Sequence, residues 1–488
     1  MAKKQATTEL HADSSVLNPE SPKKWYQRVP NAMIIIFGIL VLMAFMTWLV
    51  PSGQFDRQIM PNGREGVVAG SYHVIEKTDA MRASLFDVFR AIPTGMVAAG
   101  SVMMIVFLAG GMFKVLEKTG AIENGIGIAV RKIEEKKISK YVGLALVMAL
   151  FGFFGAAVGF ENLIGFVPVG LMVVLGLGFD LMVAASGVIG ALAVGFATSP
   201  INAYTVGVAH EIAGLPTFSG MGLRTVYCLA SLTILFLYTA GYAKKVQKNP
   251  NKSLVKGIST QGLQLDKDNL HKYKLDKRGV VILILFVSFI GVIIYGVLVH
   301  KWYLTEIAAL FVLYAIIFAI VGGFNGNSFI ETFMEGASSV TAGALIVGFA
   351  RAIQVIMDQG RISDTIINTL SAPLVNFSPA ISAVAMSVVQ GVFNFFIPSG
   401  SGQAMVTMPI IVPLSDLINV NRQIAVSAFQ IGDGLTNMIV PTAGTMLAML
   451  AMAKVPYEKW LRFVFGLLAM LYVLGWGFLV FATAINWQ

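Results

Sequence analysis

Phe395-Phe396-Ile397-Pro398-Ser399-Gly400-Ser401-Gly402-Gln403 opens a polar Gly/Ser turn inside an apolar stretch, and Phe153-Phe154-Gly155-Ala156-Ala157-Val158-Gly159-Phe160-Glu161-Asn162 does the same about 240 residues earlier. Some 35 residues after each turn comes a second interruption. It reads Ala197-Thr198-Ser199-Pro200-Ile201-Asn202 in the first half and Leu435-Thr436-Asn437-Met438-Ile439-Val440-Pro441-Thr442 in the second. Breaks of this kind free backbone N–H and C=O groups that lipid cannot satisfy, so they persist only where they line a protein-enclosed or watery site. Paired breaks at matching positions of two halves point to the binding site of a transporter.

Composition places the breaks in a bilayer. Of 488 residues, 56% are hydrophobic and 12% charged, and mean hydropathy is +0.75, which describes a polytopic helical membrane protein. The net charge of +9 comes from Lys and Arg gathered in a few loops between apolar segments. That is the positive-inside pattern, and it accounts for the charge without a nucleic acid partner. Residues 1–30 are polar and read as a cytoplasmic tail. The apolar run Ala32–Val50 is too long for a signal-peptide core and reads as an uncleaved first span. A lone Cys228 excludes an intrachain disulfide. Walker, HExxH and Cys/His cluster patterns are missing from the sequence, which argues against an ATP-driven pump, a metalloenzyme or an organic cofactor.

Candidate spans run from about 31 to 50, 95 to 117, 183 to 213, 219 to 243, 279 to 300, 302 to 324, 337 to 358, 422 to 451 and 456 to 485. The segment 244–278 holds ten Lys/Arg against three Asp and reads as a basic cytoplasmic linker. An odd number of crossings puts the N-terminus in the cytoplasm and the C-terminus on the other side. The apolar regions at about 139–178 and 375–418 remain, each interrupted near its middle. Arms of roughly 16 to 18 residues reach about 24 to 27 Å at 1.5 Å per residue, short of a roughly 30 Å core, so re-entrant hairpins are favoured over pairs of full spans.

The halves align. Gly120 matches Gly360, Phe153-Phe154 match Phe395-Phe396, Pro168 matches Pro409, Gly195 matches Gly434 and Pro216 matches Pro456, at offsets of 239 to 242. Short amphipathic stretches, Ser84–Ala91 and Ser328–Gly336, precede the matched spans 95–117 and 337–358, which run in opposite directions. The expected architecture is therefore an all-α membrane protein with an inverted repeat. Residues 31–243 form the first copy (hairpin about 139–178, broken helix about 183–213). Residues 279–488 hold an extra span and the second copy (hairpin about 375–418, broken helix about 422–451). At about 31 residues, the span 183–213 is too long for one straight crossing, and Pro200 breaks it.

Half-helix N-termini at mid-depth offer free N–H groups to a carboxylate, and unwound carbonyls suit a cation. The candidate binding residues are Glu161, Asn162, Thr198, Ser199, Asn202, Ser399, Gly400, Ser401, Gly402, Gln403, Asp433, Thr436, Asn437, Thr442 and Thr445, the polar groups of the four breaks with their flanks. Glu161, Asp433 and Arg351 are ionisable groups in apolar context, each a functional candidate for that reason. Arg351 is a partner for a substrate carboxylate or for Asp433. A sodium ion could sit near Asn162, Ser199, Ser401 and Asn437, and a proton is the alternative coupling ion. Lys114 reads as interfacial and His210-Glu211 as rim residues.

Ile397-Pro-Ser-Gly-Ser-Gly-Gln403 and Gly432-Asp-Gly-Leu-Thr-Asn437 resemble the C4-dicarboxylate carrier DcuC family, and more closely its YfcC-like branch, within the ion transporter superfamily. The resemblance runs from about residue 28 to the end. It implies a scaffold domain and a transport domain holding two opposed hairpins, as a homodimer working by an elevator movement in the inner membrane of a bacterium. Members are variously assigned to dicarboxylates, other small carboxylates and basic amino acids such as arginine and ornithine. Sodium-using relatives carry Ser-Asn-Thr triplets at the hairpin tips. The tips here read Gly-Phe-Glu-Asn and Ser-Gly-Ser-Gly-Gln, a departure that puts sodium coupling in doubt.

The expected function is secondary active transport, by symport or exchange, of a small carboxylate-bearing metabolite, either an amino acid or a C4-dicarboxylate. A short-chain monocarboxylate is the alternative within the class and an ion channel the alternative outside it. No enzymatic activity is expected.

Overall fold

The computed structural model describes residues 32–59, 65–68, 70–260, 272–300 and 302–488. The expected cytoplasmic tail 1–30 and the middle of the basic linker, 261–271, lie outside the described residues.

Helix α1 (Ala32–Leu49) is followed by four short strands, β1 (Gly53–Gln54), β2 (Arg57–Ile59), β3 (Glu65–Val67) and β4 (His73–Val74). These pair antiparallel as β1 with β4 and β2 with β3. Next come α2 (Leu85–Ala98), α3 (Gly100–Lys118), α4 (Ala121–Glu135) and α5 (Lys140–Val158). A 3₁₀ turn, Glu161–Phe166, leads into α6 (Val167–Gly176). The first broken helix comprises α7 (Leu181–Ala185), α8 (Ala191–Ala197) and α9 (Val208–Ile212), with π-turns at Ser186–Gly190 and Ala203–Gly207. Then follow α10 (Met221–Lys248), α11 (Lys277–His300), α12 (Leu304–Gly322), α13 (Gly326–Ser339), α14 (Thr341–Gly360) and α15 (Ser363–Ser371). The chain ends with α16 (Pro379–Phe396), α17 (Gly400–Leu417), α18 (Arg422–Thr436), α19 (Gly444–Met452) and α20 (Tyr457–Ala484).

Among the described residues, eight helices are long and apolar enough to cross a bilayer: α3, α5, α10, α11, α12, α14, α16 and α20. Six of them, with α1 and the two broken helices, correspond to the nine expected crossings, whereas α5 and α16 are the leading arms of the interrupted regions. The first such arm, α5, has 19 residues, one more than the expected range, and α16 and α17 have 18 each. Residues 95–98, expected to open a span, instead finish the amphipathic helix α2. Ser84 and Asp87 start that helix with a reciprocal capping box.

Packing follows the offset between the halves. Helix α2 lies on α14 and α13 lies on α3, so each half lends its amphipathic helix to the other. Likewise α1 meets α14 as α12 meets α3, and α5 crosses α8 as α16 crosses α18. Glycines make the second pair of crossings possible. A Cβ on Gly195 of α8 would sit 2.0 Å from the Gly152 carbonyl oxygen of α5, and one on Gly432 of α18 would sit 2.2 Å from the Ser387 carbonyl oxygen of α16. The matched Gly434 brings α18 onto α8, where a Cβ would sit 2.2 Å from the Ala197 Cα. Backbones this close leave no room for a side chain.

The strands were not legible in the sequence, because pieces of two or three residues carry no usable alternation. They lie against α15 and the second polar turn. Phe55 and Val67 share an apolar cluster with Ile367, Phe393 and Ile397. The Phe55 N–H donates to Asp364 Oδ2 (2.9 Å), and Arg57 Nη2 pairs with the same carboxylate at 2.8 and 2.9 Å. This end of the molecule is the strand face. The opposite end, where Tyr273 of the linker packs against Gly127 of α4, is the linker face.

Candidate functional site

Both polar turns, the second helix break and the flanks of the first reach one cavity of about 50 Å³. Gly159–Asn162 of the first turn and Pro398–Ser401 of the second line it. Phe196, Tyr204 and Thr205 come from the first broken helix, Asn437, Ala443, Gly444 and Thr445 from the second, and Tyr303 from the α11–α12 connection. A volume of that size holds a few waters.

Each break is held open by its own chemistry. In the first broken helix, Thr198 Oγ1 donates to the Val194 carbonyl (2.7 Å) and Ser199 Oγ to the Ala156 carbonyl of α5 (2.6 Å). Asn202 Oδ1 then accepts from the N–H groups of Tyr204 (2.9 Å) and Thr205 (3.1 Å), restarting the chain as a helix. In the second, Asn394 Nδ2 of α16 lies within hydrogen-bond distance of the Asp433 carbonyl (2.9 Å), Thr436 Oγ1 (2.8 Å) and Asn437 Oδ1 (3.0 Å). One amide therefore ties the end of α18 to the arm that leads into the second turn. Gln403 Nε2 donates to the Gln390 carbonyl (2.9 Å) and Oε1 (2.7 Å), and Thr407 Oγ1 also donates to Gln390 Oε1 (3.1 Å).

Helices α17 and α19 both begin at the cavity, so their first N–H groups and the positive ends of their dipoles lie at its edge. Two acids balance them. Glu161 Oε2 accepts from Tyr303 Oη at 3.1 Å. Asp433 is fully buried, and neither of its carboxylate oxygens has a hydrogen-bond partner. It sits directly behind the second turn, where a Cβ on Gly400 would lie 3.2 Å from Asp433 Oδ2. A buried ionised carboxylate without a partner costs several kcal/mol, so this position calls for a cation or a proton. Further buried acceptors and donors without partners, Asn162 Oδ1, Asn202 Nδ2, Thr205 Oγ1, Asn394 Oδ1, Gln403 Oε1, Gln430 Oε1 and Thr442 Oγ1, belong to the same breaks or flank them.

Of the residues singled out in the sequence, Glu161, Asn162, Ser399, Gly400, Ser401, Asn437 and Thr445 line the cavity, and Asp433 stands immediately behind it. Thr198, Ser199, Asn202, Gln403 and Thr436 are engaged in bonds that shape the breaks. Thr442 is buried nearby, and Gly402 faces the opposite side of the turn. Arg351 is half-buried on α14, outside the lining, and its field reaches Glu161 and Asp358. Lys114 is half-buried between Glu117 (3.3 Å) and Glu335 (3.2 Å).

His210 departs from the rim position expected of it. The ring is fully buried, its Nε2 lies 3.2 Å from Gln423 Oε1, and its Nδ1 accepts the Phe218 N–H at 3.0 Å. The chain turns back at 213–220 and covers the histidine, a fold-back that the hydropathy pattern does not record.

Gln390, Asn394 and Gln430 were missed. For Gln390 and Asn394 the signal was present, since amides at i and i+4 within apolar α16 are costly facing lipid; Gln430 lies on α18, three residues before Asp433. Tyr303 and Tyr204 had no such signal, because their place depends on which loop folds over which break.

Similarity to known proteins follows this geometry. The family model of DcuC, the C4-dicarboxylate anaerobic carrier, matches residues 29–484. An Escherichia coli protein named "Putative basic amino acid antiporter YfcC" is 31% identical over 497 residues, spanning 94% of this chain and 97% of its own length. A Haemophilus influenzae protein of uncharacterised function is 28% identical over 500 residues, spanning 93% of this chain and 97% of its own. Among solved structures, Neisseria gonorrhoeae MtrF, presented as one of a class of antimetabolite efflux pumps, aligns with a TM-score of 0.45 at 16% identity, over 93% of this chain and 95% of its own. The Alcanivorax borkumensis YdaH transporter aligns with a TM-score of 0.44 at 14% identity, over 94% and 99%. The match to the family model covers nearly the whole chain, and the chain belongs to the DcuC family of membrane transporters.

Proposed function

We propose that the cavity among the four breaks is the transport site of a secondary carrier for a small amino acid bearing an extra amine, of the arginine or ornithine kind. Asp433 carries the reading. A buried carboxylate with both oxygens unpartnered, next to a second acid at Glu161, suits a cationic group and is hostile to a second carboxylate at neutral pH. The N-termini of α17 and α19, with Ser399, Ser401 and Thr445, supply the complementary place for the α-carboxylate. The name carried by the E. coli relative agrees with this choice.

A C4-dicarboxylate is the second reading, favoured by the same helix N-termini and by the family's description. Coupling is to a proton or sodium ion at Asp433, or to exchange of one substrate for another. The linker face is cytoplasmic by its excess of Lys and Arg. The two turns enter from opposite faces as an inverted repeat, and a homodimer moving one domain against the other would carry the site across.

Counterflow in proteoliposomes separates the readings. Arginine and ornithine are expected to exchange and saturate, succinate and lactate to do so poorly, and Asp433→Asn to lower arginine exchange strongly. Succinate counterflow as fast as arginine counterflow, or arginine exchange untouched by Asp433→Asn, contradicts the amine reading. Flux that never saturates indicates a channel.

A further inference from the structure

A second cavity, of about 290 Å³, lies behind the second polar turn on the strand face. Ile397 and Gly402 line it, whereas Pro398–Ser401 between them line the central cavity, so one six-residue turn is a wall common to both. Its other walls are Arg57 of β2, Ser363 and Asp364 of α15, Val406 of α17, and Gln354 and Asp358 of α14.

Charge here is unevenly committed. Asp364 is held by Arg57 and the Phe55 N–H, which leaves neither charge of that pair free. Asp358, exposed at the mouth, has a single side-chain hydrogen bond, at the long limit, from Ser363 Oγ at 3.5 Å. Gln354, one turn deeper, has a buried Oε1 without a partner. Arg351, Gln354 and Asp358 follow one another at i, i+3 and i+7, a single polar stripe on α14 that runs inward from the mouth. Arg361 stands at an adjoining rim.

We propose that this cavity is a second ligand site, an antechamber where an amine-bearing amino acid is held by Asp358 and Gln354 before the turn Ile397–Gly402 admits it to the central cavity. Asp358 at the mouth offers a carboxylate to the amine and presents a dicarboxylate with a like charge, and Gln354 offers the amine a further acceptor. The proposal rests on the reading of the central cavity as the transport site.

A single cysteine at the wall tests it, because native Cys228 is buried and can be replaced by serine. In Val406→Cys, a cationic methanethiosulfonate is expected to react faster than an anionic one. Asp358→Asn should reduce that preference about threefold, the scale of one partly exposed charge pair. L-arginine should slow the labelling and succinate should not. Equal rates for both reagents, with no protection by L-arginine, overturn the antechamber. Ser363→Cys gives the same reading if Val406→Cys does not fold. Arginine counterflow without protection rejects the antechamber alone, and protection without counterflow rejects the transport reading while the antechamber stands.

Discussion

Asp433 and Asn394 show how individual residues divide binding from architecture. Asp433 is a buried carboxyl whose two oxygens no protein group answers, so replacing it should cost function and spare the fold. Asp433→Asn is expected to lower arginine counterflow about tenfold or more, since a hydrogen bond to a charged group is worth about 1.5–3 kcal/mol and about 1.4 kcal/mol is a factor of ten. Its melting temperature in detergent should hold or rise; a marked fall would make Asp433 a structural group. Asn394 is the opposite case, because its amide ties three groups of the second break to α16. Asn394→Leu removes this tie and takes from Asn437 Oδ1 its donor, while Thr436 and the Asp433 carbonyl keep their bond to each other; it should cost about 2 kcal/mol, read as a lowered melting temperature together with lost transport. Of these two, the sequence disclosed Asp433 directly, as a charge in apolar context. Asn394 needed the further step of asking which break its amide would face.

At the scale of elements, crossings and caps set the positions that the breaks occupy. Gly434 brings α18 onto α8 at Ala197, where the break of the first broken helix begins. Gly434→Val forces those backbones apart, with an expected loss of about 3 kcal/mol or more from overpacking, seen as poor recovery of folded protein; a well-folded, active variant would show that the close crossing is dispensable. Helix α2 depends on the Ser84–Asp87 capping box, and hydrogen bonds from Ser84 hold the Asp87 carboxyl below the usual carboxylate range. A depressed carboxyl stabilises above its unfolded value and loses that contribution as pH falls through the folded one. Ser84→Ala should therefore cost about 1 kcal/mol at neutral pH, and less in acid, where Asp87 is protonated in both proteins. An equal cost at both pH values would assign the effect to something other than the cap. Elements of this kind were legible where a periodic pattern met a clear stop, as at Pro200 and Pro441. The strands and the fold-back over His210 were not, because short pairings and loop returns depend on distant partners.

For the whole molecule, the arrangement that matters is convergence. Two polar turns from different halves and two broken helices meet at one cavity, and the packing of α2 on α14 and of α13 on α3 ties the halves together. The sequence showed the four breaks and their spacing, and the inference that they meet came from the cost of leaving them in lipid. It could not show the unequal setting of the two acids, with Glu161 bonded to Tyr303 and Asp433 bonded to nothing. On the proposed function, that inequality places the cationic group of the substrate beside Asp433 in the second half. A cryo-EM structure of the protein saturated with L-arginine tests this most directly. The account predicts density among the four breaks, with the cationic end against Asp433 and Glu161 and the carboxylate at the first turns of α17 and α19. An empty cavity at saturating arginine, or density with its carboxylate facing Asp433, would contradict it.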